Sequence, residues 1–220
     1  MNTEQLWSVI EDQRRRIAAF LASLSQGDWM QPSLCDGWTI KDVAAHLAVV
    51  PHAPSIWRML PMILAARGSL DQVNHDIAWN YSQQHSTDQL VADLRDNPAT
   101  RDLPRVTSVP NLAMDIVVHG QDMALPLNRE LAVPPDAALN ALQRAWSMGW
   151  PFHASKRLAG YRLTATDTDW AAGDGPTIAG TTLTLLLLAT GRTKAALPLL
   201  DGPGVPQLAS STPELNRKQH

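Results

Sequence analysis

Two imidazoles and a carboxylate stand out on otherwise apolar stretches of this chain. His46 lies in Trp38-Thr39-Ile40-Lys41-Asp42-Val43-Ala44-Ala45-His46-Leu47, and Asp115 and His119 lie far downstream in Met114-Asp115-Ile116-Val117-Val118-His119-Gly120-Gln121-Asp122. Donors of these types suit a divalent metal, and three protein ligands leave a coordination position open for chemistry. Asp115, His119 and Asp122 fall at i, i+4 and i+7, which puts them on one face of a helix. Their neighbours Leu112, Met114, Ile116, Val117, Val118 and Met123 are apolar. The same stripe also reads as the solvent face of an amphipathic helix, although it carries no Lys or Glu. Spacing alone leaves both readings open.

The elements that must position these residues follow from periodicity and punctuation. Leu6, Ile10, Ile17, Leu21 and Leu24 recur at helical spacing and predict a first helix from about Thr3 to Leu24. Gly27, Pro32 and Gly37 predict a loop from Ser25 to Trp38. Thr39 with Asp42 three residues later has the form of a capping box opening the helix that carries His46. Pro51 and Pro54 should interrupt it, with helix resuming through Trp57, Met59, Leu60, Ile63 and Leu64 and stopping at Gly68. Further helix is expected from about Leu70 to Gln84 and from Thr87 to Arg95. Ser108 can cap, and Pro110 can open, a helix from about Asn111 to Leu125. Another follows from about Asp136 to Met148. After Gly160 the pattern changes. Tyr161 to Thr166 alternates with β-branched residues and reads as a strand, Asp167 to Gly175 is rich in turn residues, and Pro176 to Gly180 suggests a second short strand. A buried helix from Thr181 to Thr190 ends at Gly191. The chain therefore divides into an all-helical N-terminal half and a smaller mixed C-terminal half.

Composition narrows the class. With 45% apolar and 18% charged residues among 220, a core of ordinary size is available and global disorder is disfavoured. A net charge of −3 with no basic block argues against a nucleic-acid partner. The run Arg14-Arg15-Arg16 falls on the amphipathic first helix and reads as a solvated face. The single cysteine, Cys35, excludes an internal disulfide and a cysteine-based zinc ribbon. The opening Met1-Asn2-Thr3-Glu4-Gln5 lacks a signal-peptide apolar core, and the longest apolar run, Leu185 to Ala189, is too short to span a bilayer. A cytoplasmic protein without membrane partners is expected.

The segment from Trp29 through Pro32-Ser33-Leu34-Cys35-Asp36-Gly37-Trp38-Thr39-Ile40-Lys41-Asp42 to His46-Leu47 resembles the opening signature of the actinobacterial maleylpyruvate isomerase-like family, within the DinB-like metal-binding helical bundles. Asp115 to Asp122 resembles that family's second metal motif. Ala165-Thr166-Asp167-Thr168-Asp169-Trp170, Gly180, the Leu-rich helix and Gly191-Arg192 are similar in style to its C-terminal domain. The resemblance implies a mainly α fold: a DinB-like four-helix bundle over 1–130, a smaller α/β domain over 131–209, and a flexible tail over 210–220. It implies His46, Asp115 and His119 as ligands of zinc or another divalent ion. One departure stands out, because the family commonly has Glu where this chain has the shorter Asp115.

The family's chemistry implies mycothiol as co-substrate. A free thiol of pKa about 8.5 is mostly protonated at neutral pH, and a metal removes that proton and holds the sulfur. The thiolate then adds to an electrophilic small molecule. Adding and leaving gives cis–trans isomerisation; adding and staying gives S-transfer. Arg192 is the candidate for holding an anionic group in a cleft between the two domains, with a helix C-terminal arginine answering the macrodipole as the rival reading. Asp122 either orients His119 or sits at the surface. Cys35 lacks an evident base and reads as a structural residue. Trp38 and Trp57 pack in the core or line the site. His52, His75, His85 and His153 lack partners at ligand spacing. A non-catalytic metal- or small-molecule-binding protein on the same bundle, and an interaction protein whose polar stripe faces water, are the competing classes.

Overall fold

Several helices of the N-terminal half begin where a side chain satisfies unpaired N–H groups of the first turn. The computed structural model describes residues 1–50, 70–103 and 107–211. The expected Pro51/Pro54 interruption, the helix through Trp57 to Leu64, the Gly68 stop, His52 and the tail beyond 211 lie outside the described residues. Among the described residues no helix is long and apolar enough to cross a membrane. The chain divides into two compact units, Met1–Ala132 and Val133–His220.

In the first unit, α1 (Thr3–Ala22) opens on a reciprocal pair in which Asn2 Oδ1 accepts from Gln5 N and Gln5 Oε1 accepts from Asn2 N. It buries Leu6, Ile10, Ile17 and Leu21. The expected loop after it contains a single helical turn, α2 (Gln26–Trp29), because Ser25 and Asp28 form the same reciprocal cap. The helix α3 (Ile40–Val49) starts at Thr39 as the capping box requires. Then come α4 (Leu70–Gln84), α5 (Thr87–Asp96, capped by Ser86 and Gln89) and α6 (Val109–Ala124). Ser108 occupies the cap position of α6 but makes no side-chain cap bond. Pro110 in the first turn removes one of the donors a cap would serve. The first helix packs on α5 and α6, and α3 packs on α4, α5 and α6.

The arginine run corrects one expectation. Arg14 is buried, and its guanidinium Nη1 donates to the carbonyls of Pro98 and Thr100 at 3.0 and 2.7 Å, tying the segment after α5 to α1. Only Arg15 and Arg16 remain on a solvated face, paired with Glu11 and Asp12 one turn earlier.

The second unit holds α7 (Pro135–Ser147), α8 (Ala154–Arg157), β1 (Arg162–Ala165), β2 (Ala171–Ala172), β3 (Thr177–Gly180), α9 (Thr182–Ala189), α10 (Thr193–Ala196) and α11 (Val205–Ser211). Its sheet has the order β2-β1-β3, with β1 antiparallel to β2 and parallel to β3, Leu163 pairing with Ile178. The two-residue β2, inside the stretch rich in turn residues, carries only alanines and gives no strand signal in sequence. Helix α9 is apolar all round, and Leu185 to Leu188 are buried accordingly, against α7 among others. At its start Asp167 Oδ1 accepts from the N–H and hydroxyl of Thr182 at 2.7 and 2.6 Å. At its end Arg157 donates to the carbonyls of Leu188 and Ala189. A mainly helical protein with a small mixed C-terminal portion is what the chain forms.

The cap of α3 reaches beyond its own helix. The Asp42 carboxylate accepts from Thr39 N and Oγ1 at 3.0 and 2.6 Å, and through Oδ1 from the buried Ser82 hydroxyl of α4 at 2.7 Å. Asp42→Ala removes the carboxylate half of the capping box and the bond from α3 to Ser82, which keeps only the Trp79 carbonyl of its own helix at 2.9 Å, and is expected to lower the unfolding free energy by about 1 to 2 kcal/mol in urea titration. A loss within ordinary surface variation, below about 0.5 kcal/mol, would show that this junction does not brace α3.

Candidate metal centre

His46 is contributed by α3, Asp115 and His119 by α6, and the packing of these helices brings them together across 69 residues of chain. His46 Nε2 lies 3.3 Å from Asp115 Oδ2, and His119 Nε2 lies 3.4 Å from Asp115 Oδ1. The two imidazole rings meet edge to face, their centroids 4.9 Å apart. One donor atom from each of the three residues falls within 4.8 Å of the others. Of the stripe, Asp115 is the member that reaches solvent, its side chain 34% exposed. His119 is 15% exposed at its side chain and Asp122 is 0% exposed, because α6 is buried on nearly every side.

The other nitrogen of His119 is also held. Its Nδ1 lies 2.8 Å from Asp122 Oδ2. A carboxylate there fixes the ring proton on Nδ1, an assignment made from the hydrogen bond, and turns the Nε2 lone pair toward Asp115. Lone pairs of Nε2 and of a carboxylate oxygen cannot face each other at this distance without a positive charge between them. A proton supplies it in the bare protein. Burial alone would raise the Asp115 carboxyl, but the charge and hydrogen bonds of His119, followed by His46, hold it well below the ordinary carboxylate range. Burial would lower His119, but Asp115, then the contacts from Asp122 and Cys35, hold it well above its ordinary value. A divalent ion can replace that proton, and a carboxylate behind the ligating histidine is the arrangement that orients such a ligand. The residues present therefore fit a metal.

Trp38 does flank the site, and two further neighbours, His75 and Cys35, were not legible in the sequence. Trp38, half-buried just before α3, sets its ring edge-on to His46 at 5.8 Å and to His75 of α4 at 5.4 Å, so His75 belongs to the surroundings of the site. Cys35, read as a structural residue without a base, has its Sγ 3.1 Å from Asp122 Oδ2 and 3.7 Å from His119 Nδ1. His85 stacks on Tyr81, and His153 belongs to the second unit. Trp57 lies outside the described residues. Arg192 is in the second unit, where its Nη1 donates to the Thr190 carbonyl at 2.8 Å.

Residues 10–102 match the family model described as Mycothiol maleylpyruvate isomerase N-terminal domain. That match covers most of the N-terminal unit of this chain. The match contains His46 and stops short of Asp115 and His119, which only the packing of α6 on α3 brings to it. Among solved structures, the crystal structure of a mycothiol-dependent maleylpyruvate isomerase is 15% identical, with a TM-score of 0.56 over 87% of this chain and 90% of that one. A histidine-to-alanine mutant under the same name is 14% identical, with a TM-score of 0.52 over 92% and 93%. At these identities the likeness is one of fold. No curated protein matches the chain.

The proton on His119 gives the site a signed pH dependence. In the metal-free protein the raised His119 contributes stability below the ordinary histidine pKa, and that contribution is lost as pH rises through the folded-state value. Metal must expel the same proton, so affinity should strengthen with pH up to that value and level off above it. Calorimetry in buffers of different ionisation enthalpy should find about one proton released per metal bound at neutral pH. Binding without proton release would exclude His119 Nε2 as a donor.

Proposed function

We propose that this protein is a metal-dependent enzyme that uses mycothiol as a thiolate on an electrophilic small molecule, as a cis–trans isomerase or an S-transferase. The observation that carries the reading is the convergence of His46, Asp115 and His119, with Asp122 behind His119, in a unit most of which matches the mycothiol maleylpyruvate isomerase N-terminal domain. His46, Asp115 and His119 would hold the ion, which we take to be zinc, a borderline metal suited to nitrogen, carboxylate and thiol donors. Bound there, zinc supplies a Lewis-acid centre that lowers the pKa of a coordinated thiol.

The chain's own residues do the rest. Asp122 keeps the Nδ1 proton of His119, so the ring presents a lone pair at Nε2 and cannot turn. Asp115 adds one negative charge between two neutral imidazoles, leaving the metal site with a net positive charge that favours a thiolate over a thiol. Trp38 covers one flank of His46 with an apolar ring and limits water there. A thiolate adding to an electron-poor alkene carbon leaves a single bond about which the product can rotate. The π electron pair moves onto the electron-poor partner carbon; its return expels the sulfur and restores the double bond with the opposite geometry, whereas a proton taken from solvent at that carbon, with the C–S bond kept, completes S-transfer. The same residues serve both outcomes. Arg192 is proposed as the residue that binds a carboxylate of the electrophile through paired guanidinium hydrogen bonds. A reduced thiol co-substrate places the protein in the cytoplasm, with small molecules as its partners.

The test is metal analysis joined to mycothiol titration. Stoichiometric zinc should be present in the native protein, and His46→Ala and His119→Ala should each weaken it beyond the roughly 10- to 100-fold typical of an outer-sphere change. Mycothiol should bind only the zinc-loaded protein. Zinc without thiol binding would leave a non-catalytic metal-binding protein, and a protein that takes up no metal would overturn the reading. For Arg192→Ala, kcat/KM should fall about 10- to 100-fold for carboxylate-bearing electrophiles and little for uncharged ones; equal effects on both would remove its role.

A further inference from the structure

Cys35 takes no part in the chemistry above, yet its thiol lies against the inner side of a proposed ligand. Its Sγ is 3.1 Å from Asp122 Oδ2 and 3.7 Å from His119 Nδ1. Both contacts fall on the opposite side of the imidazole from Asp115, which faces Nε2. That placement excludes two roles. A nucleophilic cysteine needs one ring nitrogen for itself and leaves the other to the orienting carboxylate, whereas here thiol and carboxylate both sit at Nδ1. Nor does Sγ share a site with His46 and Asp115, since it groups only with His119 and Asp122. The protein's one thiol is therefore not the reacting thiol, which accords with a reaction that takes its sulfur from a co-substrate.

A separate metal position made of Cys35, His119 Nδ1 and Asp122 fits the distances poorly. Donors bound at 2.0 to 2.3 Å around one tetrahedral ion stand roughly 3.3 to 3.8 Å apart. Nδ1 and Sγ instead approach Asp122 Oδ2 to 2.8 and 3.1 Å, the spacing of hydrogen bonds. One carboxylate oxygen accepts from the imidazole N–H and the thiol S–H together. The backbone repeats the grip. Leu34 N donates to the Asp122 carbonyl at 3.1 Å, and the loop is closed on itself by Trp38 N to the Cys35 carbonyl at 3.0 Å and Cys35 N to Ser33 Oγ at 3.1 Å.

We infer that Cys35 is a positioning residue, whose thiol hydrogen bond fixes the Asp122 carboxylate and through it the orientation and basicity of His119. This rests on the reading of His119 as a metal ligand through Nε2. Asp122 is fully buried, so water cannot replace a lost donor without entering the core. Removing the S–H leaves the oxygen with one partner fewer and frees the carboxylate to rotate about its last side-chain bond.

The experiment uses the full chain loaded with zinc and, separately, with cobalt(II), whose visible bands report ligand geometry. Cys35→Val should weaken zinc affinity about 10-fold, the lower end of outer-sphere effects, and should shift the cobalt bands. Cys35→Ser, whose hydroxyl can donate to the same oxygen, should restore both. Unchanged affinity and bands in Cys35→Val would overturn the inference, as would a failure of Cys35→Ser to recover them. Two ions per wild-type chain, falling to one in Cys35→Val, would overturn it in favour of a second metal position. Should Cys35→Val not fold, iodoacetamide modification of the folded wild-type protein removes the same donor and must weaken zinc equally, or the inference falls. A wild-type chain that binds neither metal overturns the proposed function together with this inference, whereas normal loading with unaltered bands overturns this inference alone.

Discussion

The N-terminal unit is organised around a carboxylate with no contact to solvent. Asp122 lies in a helix whose other residues are almost all buried and apolar, where an ionised group is costly unless every oxygen is matched by a donor. His119 and Cys35 supply donors to its side chain, and Leu34 supplies one to its backbone carbonyl. Satisfying this one residue fixes three things at once: the tautomer of His119, the seat of the loop before α3, and the relation of that loop to α6. The loop leads directly into the Thr39–Asp42 cap, so the start of α3, and with it His46, is set from the same point.

The capping interactions extend this constraint outward. Asp42 binds Ser82 of α4, so the helix that bears His46 is braced on one side by α4 and joined on the other, through His46 and Asp115, to α6. On its far side α6 comes close to α1 and to the segment after it: a Cβ at Gly120 would stand 2.8 Å from a Leu131 methyl and 3.6 Å from Ile17. A glycine inside a helix costs roughly 1 kcal/mol relative to alanine. Here it permits the close approach that lets α6 carry its polar stripe toward α3 while burying its opposite face on α1.

What the sequence disclosed and what it withheld divide along range. The capping box at Thr39 and Asp42, the i, i+4 pair of Asp115 and His119, and the apolar run of α9 are local patterns, and each appears where its pattern requires. Family resemblance then linked His46 to the downstream pair, which no spacing argument could do. The contacts of Cys35 could not be read from the sequence because His119 and Asp122 lie 84 and 87 residues away. Arg14 was misjudged for the same reason: three arginines in a row look solvated until the carbonyls of Pro98 and Thr100, equally remote, are folded over the first of them. The single turn of α2 is a different case. Ser25 and Asp28 form its cap locally, whereas Gly27, Pro32 and Gly37 read as loop.

The aspartate at 115, the one departure from the resembled family's pattern, is also intelligible in this frame. Asp115 meets the two histidines through different oxygens, at 3.3 and 3.4 Å, so its carboxylate spans their Nε2 atoms. An acid one methylene longer would reach further from the axis of α6 and would need α3 to stand back, or its own chain to fold. Around His46, α3 is built from Ala44, Ala45 and Ala48, all buried, and helices with such small side chains can pack at the near end of the usual 8 to 10 Å range. Lengthening the acid alone would displace the carboxylate from the two Nε2 atoms it spans, and with it the charge that His119, held by Asp122 and Cys35, is turned to meet.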